Sequence, residues 1–242
     1  MDIIKKIELT RKTLKEILSE EYNTDTLSIL STTELDALYR VNESTSIYSM
    51  VSNCPGCCFT LEHRNIKGHN LHVVYYNFPN IGDNKFTKIN KKSFIDRIKK
   101  LYESNLIQQT DSIIVILNDT MSDSVIQINN TINIMLQEDE INMDHLDTKL
   151  KQDHFRNIYI FDIKSLLFNI LKHEFVPNHE VIRDQDEINK IFEENNCDEN
   201  KLPIILKNDP VAKLKLCVPG DIVKITRTSK TTGKYIYYRI CK

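Results

Sequence analysis

The sequence predicts two domains: a larger α/β domain with a mixed sheet and flanking helices, and a small α+β domain that ends in a β-hairpin. Two observations lead to this fold class. Helical and strand patterns alternate over roughly the first 170 residues, which is typical of α/β layers. After Asn169 the pattern changes to short apolar pieces separated by prolines. We therefore predict domains at residues 1–169 and 170–242.

The elements of the first domain follow from local patterns. Apolar residues recur at helical spacing in 3–22, and Ser31 with Glu34 has the capping-box spacing that begins a helix ending near Arg40. The polar segment 42–56 is interpreted as a loop. Two further helices are predicted at 92–106 and 122–136. Strands are predicted at 58–63, 71–78, 112–117 and 157–162, the third being the uncharged run SIIVIL that is typical of a buried strand.

The second domain has a short charged helix at 184–195 and a hairpin at its end. Two stretches rich in β-branched and aromatic residues flank the polar segment 228–234, which contains one glycine. The segment from Lys201 to Lys242 contains ten lysines and arginines and two aspartates, so its net charge is +8, although the whole chain carries −2. This excess of positive charge predicts an acidic partner surface or nucleic acid. The basic residues on the hairpin are Lys224, Arg227, Lys230, Lys234 and Arg239.

Composition excludes several classes of protein. The 242 residues are 40% hydrophobic and 27% charged, as expected for a globular protein. No two of the five glycines lie close together, so the chain has no glycine-rich phosphate-binding loop. No apolar run approaches the roughly 18–20 residues needed to cross a bilayer, and no signal-peptide pattern begins the chain. The scattered cysteines do not form a disulfide framework, which favours a reducing intracellular compartment. We expect no cofactor, no membrane association and no small-molecule substrate.

A zinc site is the first alternative that the residues leave open. Cys54, Cys57 and Cys58 form a cluster that three histidines follow, and a pair of thiols with a pair of imidazoles can complete a tetrahedral site. The spacing matches no common zinc finger, and a small loop with buried thiols is the favoured interpretation. The three histidines are His63, His69 and His72.

A metal-dependent nuclease is the second alternative. Asp162 and Lys164 are placed on one face of the predicted strand 157–162 and its continuation, and Asp119 is an upstream acid that could join them. Such acid–lysine pairs are frequent in a chain this rich in charge. His173 and His179 superficially resemble a metalloprotease pair, but six residues of helix would separate them, so we interpret them as structural.

The tyrosines near the end of the chain also allow two interpretations. Tyr235, Tyr237 and Tyr238 stand beside basic residues, an arrangement that can stack nucleic-acid bases in a free-standing binding module. Packing of a small sheet and of an interface is the more common role and is favoured here.

An ordered series of motifs in the last 70 residues resembles a known family. The series is HEFVPNH at 173–179, LP at 202–203, NDPVA at 208–212, PGDIVKI at 219–225, RTS at 227–229, TG at 232–233 and YR at 238–239. It is similar to the C-terminal domain of the shared fifth subunit of eukaryotic nuclear RNA polymerases, a family that also has archaeal members. Phe175 stands where the family usually has leucine. The first domain resembles the jaw domain of the eukaryotic subunit only in its layout.

The resemblance implies a non-catalytic subunit of a DNA-directed RNA polymerase. In that family the small C-terminal domain docks on the largest subunit as an assembly domain, and the jaw projects toward downstream DNA. Because archaeal relatives lack the jaw, its presence points to a eukaryotic or virus-encoded protein. A large DNA virus is our hypothesis, which gives the nucleus, a viral factory or a virion as the location.

The resemblance also implies which residues meet the partner. The motif positions predicted at the partner interface are His173, Val176, Pro177, His179, Pro203, Asp209, Pro210, Arg227, Ser229, Gly233, Tyr238 and Arg239. Arg227 and Arg239 are the strongest candidates, because arginine pairs bidentately with carboxylates and phosphates.

Overall fold

The computed structural model of the chain describes residues 2–41, 46–79, 89–146, 148–229 and 233–242, with the side chain of Ser229 left out. The chain divides into two compact units, the first ending at Phe168 and the second running from Asn169 to Lys242. Each unit has a four-stranded sheet and apolar clusters of its own. The protein is therefore of the mixed α/β class that the sequence predicts.

The first unit has four helices and four strands in its described part. They are α1 (Ile3–Leu18), α2 (Thr32–Arg40), β1 (Phe59–Glu62), β2 (Asn70–Tyr75), α3 (Lys91–Glu103), β3 (Ser112–Leu117), α4 (Asp123–Gln137) and β4 (Ile158–Asp162). The strands lie in the order β1-β2-β3-β4, with β1 antiparallel to β2 and the other pairs parallel. Helices α3 and α4 are the crossover connections that parallel neighbours require.

Strand β3 explains why the first unit forms three layers. All six of its residues are buried, because helices cover both faces of the sheet. Val115 packs in one cluster with apolar residues of α3 and α4. On the opposite face, the Thr10 hydroxyl of α1 hydrogen bonds to the Tyr75 hydroxyl of β2 at 3.0 Å. An uncharged strand such as SIIVIL is stable only between two such layers.

The predicted elements are found, with some changes at their ends. The capping box of α2 is confirmed, with Ser31 and Glu34 each accepting a backbone hydrogen bond from the other. Helix α1 ends at Leu18 and not at residue 22, and α3 ends at Glu103, two residues before a positive φ of 54° at Asn105. Because side-chain patterns continue past the last helical turn, they overestimate both lengths.

The described part of the segment 42–56 is more regular than the polar loop that we predicted. Residues 42–45 lie outside the described part of the chain. The remainder forms 3₁₀ turns at Ile47–Met50 and Pro55–Cys57, with Tyr48 and Val51 in the main apolar cluster. These apolar residues are too irregularly spaced to match a helical or strand period, so the sequence pattern missed their burial.

The second unit is a small sheet covered by a helix on each face. Its elements are β5 (Asn178–Ile182), α5 (Gln185–Glu194), β6 (Ile204–Ile205), α6 (Pro210–Leu214), β7 (Ile222–Ser229) and β8 (Gly233–Cys241). The strand order is β5-β7-β8-β6, and the predicted hairpin is confirmed as the antiparallel pair β7–β8. Its turn, 230–232, lies outside the described residues. Among the helices that the structure describes, none is both long and apolar enough to span a membrane.

Alternation along the hairpin strands divides the core of this unit between two faces. Ile222 and Ile240 pack with Ile191 of α5 on one face. Val223 and Ile225, with Ala212 of α6, form the cluster on the other. Tyr237 and Tyr238 are partly buried against these two clusters, whereas Tyr235 and Ile236 lie at the surface.

Candidate interaction site

The register of the hairpin places two arginines and two tyrosines on one face. Arg227 lies opposite Tyr235, Ile225 opposite Tyr237, and Val223 opposite Arg239. Because directly opposite residues and alternate residues share a face, Arg227, Tyr235, Tyr237 and Arg239 project from the same side of the sheet. We call these four residues the Arg–Tyr ladder.

The Tyr237 ring contacts each of the other three residues of the ladder. The Arg227 guanidinium carbon lies 5.1 Å from the centre of the Tyr237 ring, and that of Arg239 lies 5.8 Å from it. The Tyr235 and Tyr237 rings are stacked, with centroids 5.5 Å apart and planes at 24°. Arg239 Nη1 also donates to the Ile204 carbonyl at 3.0 Å. Each cation–π contact at such a partly exposed site contributes about 0.5–1 kcal/mol, enough to restrict the arginine rotamers.

Apolar side chains accompany these cations at the surface. Tyr235 is 55% exposed and Ile236 is 48% exposed. On the face opposite the ladder, Lys224 Nζ lies 3.0 Å from Glu180 Oε2. Exposed aromatic residues next to arginines are the composition that interface cores favour. The arrangement is suited to binding an acidic surface with apolar pockets.

The HEFVPNH segment forms a turn followed by a strand. His173 ends a 3₁₀ turn, and its carbonyl accepts the Val176 amide at 2.9 Å. Phe175, in the middle of the turn, is 85% exposed, with its ring centre 5.5 Å from that of His173. His179 lies in β5 and its Nδ1 is 2.7 Å from the Pro177 carbonyl. No helix carries both histidines, so they cannot form a metalloprotease pair.

The burial of His179 can be tested by measuring how the stability of the second unit depends on pH. Burial lowers the pKa of His179, and the Lys215 and Arg227 cations act in the same direction, against the Pro177 hydrogen bond and Asp209. The unfolded chain therefore takes up a proton near pH 6.5, where the folded chain does not. We expect the free energy of unfolding of the second unit to fall as the pH drops below about 6.5. Urea titrations at a series of pH values give the free energy of unfolding as a function of pH. This free energy should depend less on pH in His179→Asn than in the parent chain, and an unchanged dependence would contradict the prediction.

Other predicted interface residues shape the backbone around the ladder. The Asp209 side chain accepts the Val211 and Ala212 amides, and Pro210 is the first residue of α6, so this pair begins the helix. The Pro203 carbonyl accepts the Ile240 amide at 2.9 Å. These residues support the sheet through backbone contacts.

Three predicted interface residues of the hairpin are not part of the ladder. Gly233 begins β8 with a φ of +72°, a conformation that favours glycine. Tyr238 packs beside the α5 cluster on the opposite face. The side chain of Ser229 is outside the described part. The structure thus brings Arg227 and Arg239 together, while the partner contacts of all the predicted residues stay predictions.

The cysteines and histidines of the zinc alternative occupy separate places. Cys54 and Cys57 are buried, and a hydrogen bond from the Cys54 thiol, with the charge of Arg11, lowers the pKa of Cys57. His69 Nδ1 is 3.0 Å from the Thr110 carbonyl, and His72 Nε2 is 3.0 Å from an oxygen of Asp111. Among the described residues, no group of three or more His, Cys, Asp or Glu could hold a metal ion.

The geometry assumed for the nuclease alternative is wrong. Strand β4 ends at Asp162, whose Oδ1 caps the following 3₁₀ turn by accepting the Ser165 amide. Lys164 lies in that turn and is exposed. Asp119 accepts the Thr120 amide next to it. Because the strand ends between them, Asp162 and Lys164 do not share a strand face.

The sequence interpretation omitted two residues at the surface of the second unit. Tyr237 is the centre of the ladder and Phe175 is 85% exposed, yet neither was among the motif positions predicted at the partner interface. The alternation of Tyr235, Tyr237 and Arg239 along one strand was the signal that could have identified the ladder.

Comparison with known proteins places the second unit in a family. Residues 168–241 match the model of the RNA polymerase Rpb5, C-terminal domain. The chain is 48% identical over 77 residues to the DNA-directed RNA polymerase subunit Rpo5 of Methanopyrus kandleri, which covers 84% of that protein and 29% of this chain. It is 41% identical over 73 residues to the Rpo5 subunit of Methanosarcina barkeri, covering 92% of that protein and 30% of this chain.

A eukaryotic relative matches more of the chain. Subunit rpabc1 of the DNA-directed RNA polymerases I, II, and III of Dictyostelium discoideum is 30% identical over 165 residues. The match covers 83% of that protein and 62% of this chain. Because the second unit extends only from Asn169 to Lys242, this similarity continues into the first unit.

Proposed function

The chain belongs to the Rpb5/Rpo5 family of DNA-directed RNA polymerase subunits, and from this premise we propose that it is a non-catalytic subunit of such a polymerase. In this proposal the domain 170–242 docks on the largest subunit and helps to assemble the enzyme. The chain then acts in transcription without performing chemistry of its own.

The observation that carries the proposal is the coincidence of the family match with the partly exposed Arg–Tyr ladder. The match at 168–241 spans the unit in which Arg227 and Arg239 stand over Tyr237. A guanidinium that is already held over an aromatic ring loses less rotamer freedom when it pairs with a carboxylate. Pro203 and Pro210 fix the backbone beside the sheet and lower the entropy cost of docking further.

The first unit is proposed to act as the jaw near downstream DNA. The match to the Dictyostelium subunit, which extends beyond the C-terminal unit, supports this assignment. The proposal places the protein in the nucleus if a cell encodes it, and in a viral factory or virion if a large DNA virus does. DNA is a partner only in the assembled complex, so the isolated chain should bind it weakly.

Affinity purification tests the docking. A tagged chain, recovered from its native source in high salt, is expected to retain the two largest polymerase subunits at near-equal stoichiometry, measured by quantitative mass spectrometry. The expectation follows because a subunit that helps to assemble the enzyme should stay bound to it. Recovery of the chain alone, or with unrelated proteins, would contradict the proposed function.

The ladder arginines should account for much of the retention. The double variant Arg227→Ala, Arg239→Ala is expected to lower recovery of the largest subunit about tenfold, because arginines at interface centres commonly dominate binding. Lys201→Ala is the matched control, since Lys201 is exposed, lies in the same unit and pairs at the surface with Asp198. An equal loss in both variants would exclude a specific role of the ladder.

A further inference from the structure

Within the described residues, the outer edge of β8 pairs with no strand over most of its length. Strand β6 lies beside β8 only at Ile240 and Cys241. From Lys234 to Tyr238, no strand of the described chain lies alongside β8 on the side away from β7. Strand β8 is nine residues long and its partner β6 only two, so most of this edge has no paired strand in the described chain.

The hydrogen bonds at the end of β8 show which backbone groups face outward. The Cys241 amide donates inward to the Asp221 carbonyl at 2.9 Å, and the Ile240 amide donates outward to the Pro203 carbonyl at 2.9 Å. Amide direction alternates along a strand, so the amides of Lys234, Ile236 and Tyr238 also point outward. They continue the row of donors that begins at Ile240.

This edge lacks most of the devices that keep strand edges from pairing. Native edges are usually short, covered, or interrupted by prolines, bulges and several charges. Here Tyr235 and Ile236 expose about half of their side chains on opposite faces, and Lys234 is the charge next to them. An open edge with apolar groups on both faces is suited to receiving an extended segment by β-strand addition.

We propose that the open edge of β8 binds an extended acidic segment of the partner polymerase subunit as a fifth strand, a proposal that rests on the proposed function. We infer that the segment is acidic from the cations near the edge, which are Lys234 on one face and Arg239 and Arg227 on the other. Arg239 donates to the carbonyl of Ile204, the first residue of β6. The added strand would begin next to this residue. Backbone hydrogen bonds supply the affinity, and the cations select carboxylates.

Hydrogen exchange at single-residue resolution tests the proposal on the full chain, free and in the purified polymerase. In the free chain, the outward amides of Ile236 and Tyr238 should exchange quickly, whereas the inward amides of Tyr235 and Tyr237 are protected by β7. In the complex, the two outward amides should exchange at least about tenfold more slowly. If the chain docks but its outward amides are not protected, strand addition is contradicted, while the proposed function is not.

A proline at the edge gives an independent test. Ile236→Pro removes one outward amide and blocks the added strand, but keeps every bond to β7. It is expected to lower recovery of the partner subunit about tenfold, and Ile236→Thr, which keeps the amide, less than about threefold. Protection of the Tyr235 and Tyr237 amides in the proline variant verifies that the hairpin is folded.

The remaining outcomes are also decisive. Equal retention by Ile236→Pro and the parent chain overturns the proposal. Protection of the outward amides that grows with the concentration of the free chain assigns the edge to a second copy of this protein, which also overturns it. If the parent chain retains no polymerase subunit, the proposed function fails and this inference fails with it.

Discussion

Substituting Asp111 with alanine is expected to lower the free energy of unfolding of the first unit by about 3–5 kcal/mol. The Asp111 side chain is 2% exposed and accepts from His72 Nε2 at 3.0 Å. It also accepts the backbone amides of Asn70 at 2.8 Å and Gln108 at 3.0 Å. Alanine leaves these three donors without their acceptor, and each unsatisfied buried donor costs about 1–3 kcal/mol.

Urea denaturation followed by circular dichroism measures this loss. Asp119→Ala is the matched control, because Asp119 follows the same strand but is exposed and caps only the neighbouring Thr120 amide. The control is expected to change stability by less than about 0.5 kcal/mol. A loss below about 1 kcal/mol for Asp111→Ala would show that water replaces the carboxylate, and that His72 is not held as described.

The same kind of buried carboxylate stabilises the second unit, where Asp221→Ala is expected to cost about 2–4 kcal/mol. Asp221 Oδ2 accepts the Val218 amide at 3.0 Å and lies 3.3 Å from Arg183 Nε, with only 1% of its side chain exposed. The substitution leaves Arg183 partly buried without this carboxylate. Because Asp221 precedes β7, the loss should reach the hairpin and weaken docking.

Thermal unfolding and recovery of the polymerase subunits can be measured on the same preparations. Glu180→Ala removes a carboxylate of the same sheet that is mostly exposed and pairs with Lys224. Surface pairs of this kind contribute about 0–1 kcal/mol, so this variant should unfold close to the parent chain. If Asp221→Ala and Glu180→Ala were equally stable, burial of Asp221 would have no energetic consequence.

The sequence predicts elements whose signals are local. Helix α2 follows from the Ser31–Glu34 capping box, and β3 is the uncharged run itself, found at the predicted residues. Strand β5 was not predicted, because its pairing partner β7 is distant along the chain and no local pattern specifies that contact. Contacts between distant segments are the part of a fold that periodicity does not contain.

The interaction site was also predicted only in part. Arg227 and Arg239 were predicted as interface residues from their motifs and chemistry, but the contact of both arginines with Tyr237 was not predicted. Which side chains share a face depends on the register of the hairpin, and a shift of one residue would move Tyr237 to the other side. The register becomes known only when the strands are paired in three dimensions.

The burial of β3 on both faces has a consequence for solubility. Its six residues are uncharged, rich in isoleucine and free of proline and glycine, which is the composition of segments that assemble into cross-β aggregates when they are exposed. Asp111 and Asp119 flank the strand and can act as charged gatekeepers in the unfolded chain. Loss of Asp111 would therefore both expose the segment and remove one of its gatekeepers. Heated samples of that variant should precipitate irreversibly at temperatures from which the parent chain still refolds.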